Sequence, residues 1–176
     1  MLLQDKSVRM IALCGIFASL SIIFSTFEAL LPIQAFIPLP GIKLGISNIV
    51  VLYVLFYIGT KEAFLVLLCR CAVTALIFGS LPSFLFSVCG GVLSLTSAVI
   101  IKKTCVGSLS FVGISIIGAS LHNMGQILVS CFMLGTFSVF YYLPPLLFAS
   151  VVCGGITGTI LCFLPNVTKK ERKTEI

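Results

Sequence analysis

Residues 111–134 read FVGISIIGASLHNMGQILVSCFML, and this stretch decides how the chain folds. It holds no Asp, Glu, Lys or Arg. As a helix rising ~1.5 Å per residue it would reach ~36 Å, more than the ~30 Å of a bilayer's hydrocarbon core. Its polar residues do not alternate with apolar ones, as a membrane strand would require. Ser115, Ala119, His122, Gln126 and Ser130 instead fall at helical spacing and form one small and polar stripe. A stripe of that kind faces protein or a cavity rather than lipid.

The rest of the chain extends the pattern. Of 176 residues, 59% are hydrophobic and 9% charged, with a mean hydropathy of +1.24. A soluble domain carries about a quarter charged residues, so water is not the solvent for most of this chain. Only helices and closed barrels satisfy every backbone N–H and C=O within hydrocarbon, and apolar runs of roughly 18 to 24 residues favour helices. The runs predict spans over 8–27, 42–58, 62–78, 82–101, 111–134 and 143–164. The expected fold is therefore all-α: one transmembrane domain of six helices over residues 1–176, with a short N-terminus at 1–7 and a basic tail at 165–176. The second and third spans are short and are expected to tilt or to thin the bilayer. The first run is long, with no small-residue cleavage site behind a short core, and is expected to stay as an anchor.

The formal charge of +6 belongs to membrane orientation, not to nucleic acid, because the basic residues sit at the ends of the apolar runs. With six spans, Lys6, Arg9, Lys61, Lys102, Lys103, Lys169, Lys170, Arg172 and Lys173 share one side, against Lys43 alone on the other. The positive-inside rule puts both termini in the cytoplasm. Between the first two spans, Pro32, Pro38, Pro40 and Gly41 forbid a continuous helix and predict a structured cap or re-entrant turn. The eight cysteines lie mostly within apolar runs without a CxxC pair, which suits packing residues rather than a metal or a disulfide framework.

Ionisable groups inside a bilayer are costly and ask for a reason. Arg70 lies roughly 12 Å along its helix from Glu62, too deep to snorkel comfortably. His122, Asn123 and Gln126 occupy the middle of the fifth span; Glu28 closes the first span, Lys43 opens the second, and Asn48 lies roughly 7 to 8 Å further in. Glu28, Lys43, Asn48, Arg70, His122, Asn123 and Gln126 are thus expected to converge on the outward half of the bundle. Arg70 and Lys43 against Glu28 leave a net positive site, suited to a carboxylate or phosphate. In the bland alternative Arg70 simply pairs with Glu28, and the amides are interhelical glue worth about 0.6 kcal/mol each. Small residues at Gly15 and Ser19, at Gly90 and Gly91, and at Gly154 and Gly158 let helices approach closely, within the chain or against a partner.

Several chemistries are excluded. Asp5 is the only aspartate, so no Asp-rich Mg²⁺–diphosphate motif exists, and there is no GxxxxGK[ST] loop for ATP. His122 is the only histidine and has no carboxylate near it in sequence, which argues against a catalytic metal or triad. The expectation is a protein without cofactors that is not itself an enzyme.

Glu28-Ala29-Leu30-Leu31-Pro32, the run 38–50 (PLPGIKLGISNIV), Arg70, and His122-Asn123-Met124-Gly125-Gln126 together resemble the Gx transporter family, also labelled heptaprenyl diphosphate synthase component I. The resemblance covers nearly the whole chain. It implies a bundle similar to the substrate-binding S components of energy-coupling factor (ECF) importers, in a bacterial cytoplasmic membrane. In such importers a transmembrane T subunit and a pair of ATPases supply the work. The implied function is capture of a small anionic molecule, such as a vitamin, a cofactor precursor or an isoprenoid- or quinone-related compound. Gly15, Ala18 and Ser19 are the candidates to face a T subunit. The family's second label implies the alternative, a non-catalytic membrane accessory of a prenyl diphosphate synthase. On either reading the partners are a small ligand, membrane lipid and other subunits.

Overall fold

The computed structural model describes residues 2–30, 46–78, 81–104 and 109–164. Lys43 and the expected proline-glycine cap lie outside the described residues. The helices are α1 (Leu2–Leu30), α2 (Ile46–Tyr57), α3 (Thr60–Phe78), α4 (Leu81–Thr104), α5 (Phe111–Leu134) and α6 (Leu143–Phe163), with a 3₁₀ turn, Phe137–Tyr142, between the last two.

Local chemistry sets several of the ends. Ser110 caps α5 by accepting a hydrogen bond from the Gly113 N–H, and Gly135 ends it in the left-handed region at φ 64°, donating to the Cys131 carbonyl. Thr136 then starts the 3₁₀ turn by accepting from the Ser138 N–H. Pro144 and Pro145 open α6, where a missing N–H leaves no intrahelical bond unmade. Lys102 donates to the Leu55 carbonyl and lies 5.5 Å from the Phe56 ring centroid, so a cation closes the C-terminal end of α2.

The helices pack as a closed ring in the order α1–α3–α4–α5–α6–α2, and α2 also touches α3 and α4. Glycines permit the closest crossings. A Cβ on Gly154 would stand 2.7 Å from the Ile116 Cα, and one on Gly158 would run into Val112, so the GxxxG of α6 serves internal packing against α5. A Cβ on Gly125 would stand 2.9 Å from the Gly90 Cα at the crossing of α4 and α5.

Two halves of the ring differ in content. Cys14, Val51–Leu55, Ala63, Val66, Leu67, Leu95, Ala98, Ile114 and Leu161, together with Cys71 farther along α3, form one buried apolar cluster. They come from the start of α1, α3 and α5 and from the end of α2, α4 and α6, which is what an up-and-down bundle requires of a single layer. This plug closes the end of the bundle that bears the start of α1 and the end of α6. The opposite half contains the polar residues. Outside, Leu76 (83% exposed), Phe132 (87%) and Phe163 (84%) illustrate a surface made for lipid.

Among the described residues, four stretches are long and apolar enough to cross a membrane: Val8–Glu28, Leu81–Thr104, Phe111–Leu134 and Phe137–Phe163. The other two helices fall short for different reasons. α2 has 12 residues, roughly 18 Å of rise; α3 has 19 but carries Lys61, Glu62 and Arg70.

Candidate functional site

All six helices contribute to one cavity that rests on the plug at Leu52 and Cys71 and extends into the opposite half. Ser25 and Glu28 come from α1; Ser47, Asn48 and Leu52 from α2; Arg70, Cys71 and Thr74 from α3; Ser87 and Ser94 from α4. Ser115, Ala119, His122 and Asn123 of α5 and Ala149, Ser150, Cys153, Gly154 and Thr157 of α6 complete it. The space open to water centres is about 40 Å³. That is far below the roughly 300–1,000 Å³ of sites for drug-sized ligands. In this conformation a vitamin-sized molecule does not fit whole.

Glu28, 6% exposed, organises the rim between α1 and α2. Its Oε1 accepts from the Ile46 N–H at 2.8 Å, and its Oε2 from the Ser47 hydroxyl at 2.9 Å. A carboxylate from one helix thus caps the positive N-terminal end of the next. Ser21, deeper on α1, donates to the Ser47 carbonyl at 3.3 Å and adds a second tie.

Arg70, 4% exposed, donates from Nη1 to Ser47 Oγ at 2.7 Å and to Asn48 Oδ1 at 3.2 Å. Its connection to Glu28 runs through the Ser47 hydroxyl, which accepts from the guanidinium and donates to the carboxylate. The simple Arg70–Glu28 pairing considered from sequence is therefore replaced by a relay. Both oxygens of Glu28 are engaged by the start of α2, so Arg70 faces neutral oxygens.

On α5, His122 lines the cavity and packs against α4, where a Cβ at Gly90 would come 2.7 Å from its carbonyl oxygen and 2.9 Å from Nδ1. Gln126 Nε2 lies 3.2 Å from His122 Nε2. Asn123 Nδ2 donates to the Leu146 carbonyl at 3.0 Å and to Ser150 Oγ at 2.8 Å, bolting α5 to α6 while bordering the cavity.

Glu28, Asn48, Arg70, His122 and Asn123 thus border one hollow. Gln126 does not line it. With Ser130 it borders a second, smaller cavity of about 30 Å³ beside Phe86, Val139, Tyr142 and Leu146. One turn of helix separates the two hollows, so the stripe on α5 is shared between them. Sequence reasoning missed Ser47 as the central bridge and Thr74 as a lining hydroxyl. Ser47 directly precedes Asn48, but a serine in an apolar helix gives no signal of its own until its neighbours are known.

Fold and site together define a membrane-embedded helical bundle with a polar chamber in one half. Within that class, the model of the heptaprenyl diphosphate synthase component I family matches residues 17–164, and the chain belongs to this family. No curated protein and no solved structure matches it.

Proposed function

We propose that this protein is a membrane-embedded binding subunit that captures a small anionic molecule in the chamber of Glu28, Asn48, Arg70, His122 and Asn123, with Lys43 as a further contributor. The observation that carries this reading is Arg70: a buried guanidinium at a shared cavity, hydrogen-bonded to neutral oxygens. A buried charge is expensive, and an anionic ligand would repay it. All six helices cross the bilayer in this reading, with the bilayer thinned around the short α2 and both termini in the cytoplasm, so the chamber lies toward the outer face.

Translocation is assigned to other subunits, as in ECF importers, since the chain has no nucleotide-binding loop. The α1 face of Gly15, Ala18 and Ser19 is the candidate contact with them. A Cβ at Gly15 would meet nothing within 4 Å, and an open groove runs from there to Lys61, Glu62 and Leu65 of α3.

Family membership favours a second reading. The family name describes one component of a synthase and so implies a partner component. In that reading this chain is a non-catalytic accessory whose chamber holds the anionic end of a prenyl compound.

Mass spectrometry of small molecules released from gently purified protein tests the first reading. One compound retained by wild type and lost from Arg70→Ala and His122→Ala is expected, together with co-purifying ATPase subunits. Increased prenyl diphosphate synthesis when this protein is added to a soluble catalytic chain would favour the accessory role. No retained compound and no stimulation would return these residues to packing.

A further inference from the structure

Hydroxyls within apolar helices usually donate to the carbonyl one turn back. Ser19, Ser120, Ser130, Ser150, Thr157 and Thr159 all do so here. Ser115 and Thr74 do not. Both Oγ atoms are buried, both lack a hydrogen-bond partner among the described residues, and both line the cavity that Arg70 lines. Ser115 is 3% exposed. Leaving a buried hydroxyl unpaired costs about 1–3 kcal/mol, so two of them on one small cavity point to a missing acceptor.

The electrostatics select its charge. A cation is opposed by Arg70, and the carboxylate of Glu28 already receives the Ile46 N–H and the Ser47 hydroxyl. Water alone would satisfy the hydroxyls but leave the guanidinium with only the serine-bridged Glu28 carboxylate as counter-charge, itself already engaged by the start of α2. The free space of about 40 Å³ has room for about three waters. That is the scale of a carboxylate or phosphate group rather than of a whole ligand.

We infer that the chamber is an oxyanion site in which Arg70, Ser115 and Thr74 donate to a carboxylate or phosphate group, adding Ser115 and Thr74 to the binding residues. The inference rests on the binding-subunit reading and narrows its ligand to molecules that present such a group. The rest of a larger ligand lies outside the present cavity. Two sources share this chemistry: a free small oxyanion, and the head group of a molecule with an apolar tail.

The test is thermal unfolding of the full chain in nanodiscs of neutral lipid, titrated with inorganic phosphate, acetate or dodecyl phosphate. Chloride at matched ionic strength and tetramethylammonium serve as controls. At least one oxyanion is expected to raise Tm where the controls do not; phosphate or acetate doing so indicates the free source, dodecyl phosphate alone the tailed one. Ser115→Ala and Thr74→Val each remove a hydroxyl that has no hydrogen-bond partner among the described residues, so their Tm without oxyanion should equal or exceed that of wild type. Their apparent affinity for the oxyanion should fall about tenfold. An oxyanion effect absent from wild type, or equal in both variants, overturns the inference. If a neutral compound is retained in the mass-spectrometric experiment while oxyanions do nothing, the binding-subunit reading survives and the oxyanion site does not.

Discussion

Ser47 Oγ sits 2.7 Å from Arg70 Nη1 and 2.9 Å from Glu28 Oε2 and bridges two buried charges. Removing that hydroxyl leaves both ions short of a charge-assisted bond in low dielectric. Ser47→Ala should therefore lose about 3 kcal/mol or more of stability, read by chemical unfolding in detergent, and Ser47→Thr should recover most of it. Gln126 makes the opposite case. Its Oε1 is buried without a partner among the described residues, and its amide makes one bond, to His122. Gln126→Met exchanges that bond for relief of an orphaned acceptor and should shift stability by less than about 1 kcal/mol. Because Gln126 faces the second cavity, the same variant should keep the retained compound; losing it would move Gln126 into the binding site.

Glycine positions separate contact from open surface at the scale of the helix. α6 carries Gly154, Gly155 and Gly158, of which Gly154 and Gly158 share the GxxxG spacing and Gly155 does not. A Cβ at Gly158 would run into Val112 and stand 2.9 Å from the Phe111 carbonyl, whereas one at Gly155 would meet nothing within 4 Å. Two backbones in contact cannot yield as a side chain can. Gly158→Leu should therefore cost about 3 kcal/mol by forcing α5 and α6 apart, and Gly155→Ala should be neutral to within about 1 kcal/mol. Comparable losses for both would place a partner helix on the Gly155 face.

The whole molecule alternates in direction, so the turn at Gly59, the segment before α5 and the two termini should lie on one side of the membrane. Epitopes inserted in the full chain between Gly59 and Thr60 and between Leu109 and Ser110 should be reached from the cytoplasmic side. One between Gly135 and Thr136 should be reached only from the other side. An epitope at Gly59 that is accessible from outside would mean that α2 and α3 do not both cross. The short α2 makes this the informative position, since roughly 18 Å of helix is the least that the six-crossing arrangement asks any element to spread over the bilayer.

Membrane embedding, helical class and the shared face of Ser115, Ala119 and His122 on α5 were legible in the chain itself. Apolar run length sets what can span hydrocarbon, and a 3.6-residue period sets which side chains of α5 share a face; neither depends on distant contacts. Tertiary structure alone decided that Arg70 reaches Glu28 through Ser47, that Gln126 turns to a separate hollow, and that the free volume is about 40 Å³. Those are relations among helices distant in sequence. A shift of one helix by a fraction of a turn would alter all three and leave every local pattern in the sequence unchanged.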